Sequence, residues 1–317
     1  MLERLGLVAA GTVAGLVLLE IALRLLALAA PQALSRTRPV TTGAGVYIVC
    51  VGDSHTYGSM VAPDQAYPEQ LERILRAHGV PATVYNLGLP GQSTRQVLER
   101  LPEQLATYRP NLILVWGGVN NFWNLKGREN DPDGPRFRFG LNVLRVYRFF
   151  NLLRAARHTE ATFEQRRLEN RLVEGDVVEV HRWRLTGPGG DELLDMPIVR
   201  GNLDAAAVET VTRDDLTGIV RLGREHHTPV VLFDYPFTFT ENTRAVNAAI
   251  HAVAADTSTP LVDTGPIAAE LLGRRVTDLS FKDMHPKPPL YRAVAWDAAR
   301  LLVRDRLVPE PPHPSGP

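Results

Sequence analysis

The sequence predicts an α/β fold: a three-layer α/β/α domain around a central, mostly parallel sheet, preceded by an N-terminal transmembrane helix. Short apolar runs suited to buried parallel strands recur at residues 46–51, 83–87, 112–116, 230–235 and 261–263. Segments of helical period alternate with them, an order that requires helices on both faces of one doubly wound sheet. Residues 5–19 carry no charge, and the apolar character continues to Ala30 apart from Glu20 and Arg24.

As a helix, residues 5–30 would be roughly 39 Å long, enough to cross a hydrocarbon core of about 30 Å. Glu20 and Arg24 lie four apart on one face, where they can pair, or Arg24 can snorkel to the interface. The stretch outruns the roughly 7–15 residues of a signal-peptide core, so residues 1–31 read as an uncleaved anchor. Ala27-Leu28-Ala29 has the small-x-small form of a cleavage site, which keeps a cleaved signal peptide as the alternative. Arg4 and the amino terminus oppose only Glu3, a charge bias that puts the rest of the chain outside the cytoplasm. Residues 32–45, rich in Pro, Thr, Ser and Gly, read as a linker.

The main domain spans residues 46–308. In its first strand lies the single cysteine, Cys50, which reads as a small buried hydrophobe. Gly52 then turns the backbone just where Ser54 appears, either as a nucleophile at the sheet's carboxyl edge or as the N-cap of the next helix. Residues 67–78 form a helix stopped by Gly79-Val80-Pro81, and the strand 83–87 breaks into Gly88-Leu89-Pro90-Gly91. The helix 94–108 leads to the strand 112–116, which ends in Gly117, Gly118, Asn120 and Asn121.

Regularity fails over about 125–202, an insertion that reads either as a cap or flank of the site or as a surface elaboration with no part in catalysis. It holds a polar stretch, an amphipathic helix over 141–157 and a hairpin around Gly187-Pro188-Gly189-Gly190. Arg145, Arg148, Arg154 and Arg157 on that helix suit an anionic lipid or polysaccharide, or a solvated face. Helices at 203–226, 241–256 and 266–272 then alternate with the last two strands, and His226 and His227 read as helix-end caps rather than metal ligands. The loop Asp283-Met284-His285-Pro286 precedes a final helix, 290–306, and the proline-rich residues 309–317 read as a disordered tail.

Lys+Arg and Asp+Glu both number 35 among 317 residues, so the formal net charge is zero and no nucleic-acid footprint is visible. No metal-ligand cluster or dinucleotide fingerprint stands out, and no cofactor is expected. A serine hydrolase needs a nucleophile, a base, a carboxylate to orient the base, and donors for the oxyanion. Ser54, His285, Asp283 and the turns ending in Gly91 and Asn120 supply these types, each at a strand end or in the late loop.

These blocks resemble the SGNH (GDSL-like) hydrolase superfamily, across roughly 46–308. Gly52-Asp53-Ser54 matches its GDS block, Asn86-Leu87-Gly88-Leu89-Pro90-Gly91 its NxGxxG block, and Gly118-Val119-Asn120-Asn121 its GxND block. The resemblance implies Ser54 as nucleophile, His285 as base, and Ser54 N–H, Gly91 N–H and the Asn120 amide as the oxyanion hole. His55 replaces the Leu of GDSL, and Asn121 the Asp of GxND, which removes a charge but keeps a short polar side chain that can hold the turn; both are candidate pocket residues. Lys282 stands where DxxH has its acid, leaving Asp283 in a D-x-H spacing similar to some membrane-tethered acetyl-transfer relatives, with Asp278 as the alternative acid. The implied function is a serine esterase acting on an ester, such as O-acetyl groups of a carbohydrate. The alternatives are acyl transfer to a cell-surface polysaccharide and an inactive glycan-binding protein of the same fold. The implied location is the membrane, with a periplasmic catalytic domain, or secretion after cleavage.

Overall fold

The run Val46–Gly52, β-branched and apolar, forms the strand β1 at the heart of the sheet, with five of its seven residues buried in succession from Ile48. The structure, a computed structural model, describes residues 2–34, 36, 38–41, 43–128, 146, 177–187, 190–199, 203–271, 275–281 and 284–309. After β1 come the short helix α2 (Ser54–Tyr57), a 3-10 turn (Pro63–Gln65), α3 (Tyr67–Ala77), β2 (Ala82–Asn86), α4 (Thr94–Tyr108) and β3 (Leu112–Trp116). β4 (Val177–Gly187) and β5 (Gly190–Val199) pair in a separate two-stranded sheet, longer than the hairpin expected there. α5 (Ala205–Glu225), β6 (Val230–Phe233), α6 (Glu241–Thr257), β7 (Leu261–Val262), α7 (Thr264–Glu270), α8 (Val276–Leu279) and α9 (Pro288–Arg304) complete the order.

The main sheet runs β2-β1-β3-β6-β7, and every pairing in it is parallel. α4, α5 and α6 pack together, and α3 packs on α9, so the sheet lies in the middle layer as expected. From β1 the chain first adds β2 on one side and then β3 on the other. This reversal opens a crevice between the carboxyl ends of β1 and β3, the usual ligand position in such sheets. Beneath the crevice, Trp116, Tyr67, Phe233 and Tyr291 form a fully buried aromatic layer, with Trp116 and Phe233 stacked at 5.7 Å. Cys50 is also fully buried, and desolvation pushes its thiol far above its ordinary range.

At the amino end, α1 (Leu2–Leu34) continues past the end expected at residue 31. Its stretch Gly6–Leu25, mean hydropathy 2.1, is long and apolar enough to cross a membrane, a description that also fits a signal sequence. Within it Arg24 Nε donates to Glu20 at 2.7 Å.

Within residues 32–45, expected as a linker, Arg36, Arg38 and Thr41 bind the domain. Arg36 lies over the Tyr57 ring at 4.2 Å and donates to Val61 O at 2.9 Å. Arg38 binds Glu72 and the Val84 carbonyl, and Thr41 N donates to the Tyr85 hydroxyl at 2.9 Å. Composition marks the segment as irregular; its arginines find carboxylate and aromatic partners on α2, α3 and β2. The expected helix 141–157, apart from the helical Val146, and most of the tail lie outside the described residues, as does Asp283.

On α3, Glu69 faces Asn86, whose Nδ2 lies 3.4 Å from its carboxylate. Burial pushes the Glu69 carboxyl up to about 7, against the lowering pull of its own backbone N–H, Asn86, Arg36 and Arg38. Between pH 4.5, the value of an unperturbed Glu, and about 7, the folded chain therefore keeps a proton that the unfolded chain has released. The contribution of Glu69 to stability falls as pH rises through that window and is constant on either side. Glu69→Gln removes the slope, so its melting temperature should gain on wild type from pH 4.5 to 7, by at least the roughly 2–4 °C that 1 kcal/mol gives in a domain of this size. Thermal denaturation of both proteins across pH 4 to 8 checks this.

Candidate active site

β1 ends where a side chain would not fit. A Cβ on Gly52, at φ 149°, would stand 1.9 Å from the Trp116 carbonyl oxygen of the paired strand β3, so only glycine permits the approach. The freed turn delivers Asp53, whose N–H donates to Trp116 O at 3.1 Å. Asp53 Oδ1 then accepts from His55 N at 2.8 Å and caps α2. The cap is Asp53, one residue earlier than the Ser54 alternative. Ser54 is the first residue of the helix, where the N–H has no intrahelical acceptor, and only 6% of it is exposed.

Asp53 Oδ2 accepts from the Tyr235 hydroxyl at 2.6 Å, and the same hydroxyl accepts from Val119 N at 3.1 Å. Tyr235 follows β6 and is held by Asn247, which accepts from Tyr235 N and donates to Tyr235 O, both at 2.9 Å. Burial, reinforced by Asp53, pushes its phenol well above the ordinary range, so the O–H remains a donor. Three strand ends are thus joined at one hydroxyl. Sequence reasoning took Tyr235 for the end of a strand; the position directly before Pro236 at a carboxyl edge was the available signal.

The second block supports the first. Gly88 approaches so closely that a Cβ there would lie 2.4 Å from Tyr57 N, and Asn86 Oδ1 accepts from Gly88 N at 3.2 Å. Gly91 sits in the left-handed region at φ 79°, and its carbonyl accepts from Asn124 Nδ2 at 2.7 Å. In the third block Asn120 Nδ2 donates to Gln92 O at 3.2 Å, while Asn120 Oδ1 accepts from Trp123 Nε1 at 3.1 Å.

Asn121, expected as a pocket residue, is fully buried and turned away from that role. Its Oδ1 accepts from Thr94 N at 3.0 Å and its Nδ2 donates to Thr212 at 2.7 Å, so it pins the start of α4 to α5. Thr94 in turn donates to Asp215, which Arg128 also binds.

His285 precedes α9 and is 6% exposed. Its loop is fixed by Phe281 N donating to His285 O at 2.9 Å and by Met284 in the left-handed region at φ 66°. The His285 ring stacks on that of His55, centroids 5.2 Å apart and planes within 28°. His55 is wedged further by Trp116 at 5.3 Å and by the edge of Tyr235 at 4.8 Å. The residue after Ser54 is thus the platform on which the late-loop histidine rests. Of the alternative acids, Asp278 is exposed and accepts from Arg275 N at 3.1 Å as the cap partner of α8.

Asp234, His251 and Asp263, at the ends of β6 and β7 and on α6, bring three ligand atoms within 4.8 Å of one another. Asp234 Oδ1 already accepts from Thr264 N and Oγ1, and its Oδ2 meets His251 Nε2 at 2.8 Å, so the group fits a structural bracket better than a metal site. A crevice of about 740 Å³ lined by Trp296, His78 and Glu270 contains none of the residues around Ser54.

A serine opening a capped helix at the carboxyl edge of a parallel sheet, with a buried histidine in the last loop, defines an α/β/α hydrolase. The sequence profile of the GDSL-like Lipase/Acylhydrolase family matches residues 50–293, and the chain belongs to that family of SGNH hydrolases. It is 32% identical over 74 residues to an arylesterase of Vibrio mimicus, a match covering 23% of this chain and 37% of that relative. The match therefore spans little more than a third of the curated relative's length. Among solved structures the chain is similar to the lipase/acylhydrolase from Enterococcus faecalis, with TM-score 0.48, 15% identity, and coverage of 84% of this chain and 98% of that one. It is also similar to the psychrotrophic esterase EstA from Pseudoalteromonas sp., with TM-score 0.46, 14% identity, and coverage of 81% and 98%.

Replacing Tyr235 by Phe removes the hydroxyl that joins Asp53 to Val119 and takes that partner from the buried Asp53 carboxylate and the half-buried Val119 N–H. Ester turnover should fall by up to about 10²-fold through misplacement of the reacting groups, with KM nearly unchanged. The loss of stability should be about 1–3 kcal/mol. Steady-state kinetics on p-nitrophenyl acetate and a denaturation curve check the two effects.

Proposed function

We propose that the protein is a serine esterase that cleaves an acyl ester through an acyl-enzyme. In this reading His285 takes the proton of Ser54, and Ser54 Oγ attacks the ester carbonyl. Ser54 N–H, Gly91 N–H and Asn120 Nδ2 receive the developing oxyanion, and Asp283 orients His285. The alkoxide leaves with the proton held by His285. Water, deprotonated by the same imidazole, then hydrolyses the acyl-enzyme and restores Ser54.

The observation that carries the reading is the division of labour at the end of β1. Asp53 takes the helix cap, so the Ser54 hydroxyl is released from it at the crevice between β1 and β3. Family membership supports the same chemistry. The substrate we propose is an O-acetylated carbohydrate, supported by the D-x-H spacing at Asp283 and by the apolar helix α1, which suits an anchor at a cell surface. The catalytic domain would then work outside the cytoplasm. Transfer of the acyl group to a sugar hydroxyl shares every step up to the acceptor; acetate released to water against acetate appearing on an added glycan separates the two.

A fluorophosphonate probe should label wild type and leave Ser54→Ala unlabelled; a folded wild type that resists labelling overturns the esterase reading and favours a glycan-binding role. Asn120→Ala should lower kcat by about 10² to 10³. Asp283→Asn should lower kcat for p-nitrophenyl acetate, and a kcat equal to wild type would exclude Asp283 as the orienting acid.

A further inference from the structure

An asparagine that serves an oxyanion must present its nitrogen. Its side-chain amide is nearly symmetric in shape, and a half-turn about its last torsion would bring the oxygen to the same place, repelling the charge it should stabilise. Something must therefore fix which end faces the crevice.

Trp123 meets that need. An indole N–H donates and has no acceptor capacity. Trp123 Nε1 stands 3.1 Å from Asn120 Oδ1, so the amide oxygen is the end drawn toward the ring. The nitrogen is turned the other way, where one of its hydrogens goes to the Gln92 carbonyl at 3.2 Å and the second is left for a ligand. The reversed amide would set two donors against each other at Trp123 and two acceptors at Gln92. The same indole lies beside the other expected donor: a Cβ built on Gly91 would stand 3.5 Å from the Trp123 ring. Asn124, the next residue, donates to Gly91 O at 2.7 Å and to Gln96 Oε1 at 2.7 Å. The turn after β3 therefore grips the turn after β2 through Asn120 and Asn124, and Trp123 holds Asn120 from within its own turn.

We infer that Trp123 is a positioning residue of the oxyanion site, its indole N–H holding the Asn120 carboxamide with Nδ2 toward the substrate oxygen. The inference rests on the reading of Ser54 as nucleophile and Asn120 as an oxyanion donor. Because Trp123 acts through Asn120, its loss has no effect once Asn120 is gone.

The test is a cycle on the full chain: wild type, Trp123→Phe, Asn120→Ala and the double variant, with kcat and KM measured on p-nitrophenyl acetate and fluorophosphonate labelling of each. Trp123→Phe should lower kcat about 10-fold with KM within about twofold, the pattern of an interaction made only in the transition state. The double variant should match Asn120→Ala. Equal losses in both backgrounds, or a Trp123→Phe enzyme with wild-type kcat, overturn the inference while labelled wild type keeps the esterase reading intact. An unlabelled and inactive wild type overturns both. Should Trp123→Phe fail to fold, benzothienylalanine at the position keeps the bicyclic ring and removes only the N–H, with the same outcomes deciding.

Discussion

The carbonyl oxygen of Trp116 accepts from Asp53 N at 3.1 Å and from Thr56 Oγ1 at 2.9 Å, and Gly52 lies against it with no room for a side chain. This one close approach between β1 and β3 sets everything at the carboxyl edge. It turns the chain sharply enough for Asp53 to cap α2, which in turn fixes where Ser54 emerges. From Asp53 the second carboxylate oxygen reaches Tyr235, and through its hydroxyl the turn that carries Asn120. A larger residue at 52 would part the strands and move every expected partner of Ser54 at once.

The crevice owes its order to short polar links laid across an apolar floor. Trp116, Phe233, Tyr67 and Tyr291 close the underside as a buried aromatic cluster, with Trp116 stacked on Phe233 and edge-on to Tyr291. Direction comes from above: Asp53 to Tyr235, Asn120 to Gln92 and Trp123, and Asn124 to Gly91. The division suits an esterase, since apolar packing tolerates small shifts whereas an oxyanion donor does not. His55 belongs to both systems, its ring packed in the aromatic layer and its backbone N–H bound to Asp53.

The sheet was legible because buried parallel strands must be continuous apolar runs, and β3 coincides with its expected span at 112–116. The motif glycines at 52, 88 and 91 were legible as well, each at a turn that the backbone needs. What escaped was anything fixed by neighbours distant in sequence. Asp53 and Ser54 are equally good caps by type, and only the sharpness of the turn at Gly52 chooses between them. Tyr235 gains its role because β6 lies beside β3, an adjacency that periodicity does not encode, whereas Trp123 stands only three residues from Asn120 and meets it through the bend of their shared turn. Residues 32–45 look like a spacer by composition, yet Glu72 binds Arg38 and Tyr85 binds Thr41 of that stretch. That Asn121 can hold its turn was legible from its side chain, but its partners, Thr94 and Thr212 from two separate helices, were not.

Cys50, fully buried in β1 and with its thiol pushed up by desolvation, is the chain's single cysteine. A thiol so placed is rarely a thiolate and offers no approach to an electrophile. The native chain is therefore already a silent background for spin or fluorophore labels: a cysteine introduced on an exposed face would be the one sulfur that a maleimide finds, with no need to disturb the central strand by first removing Cys50.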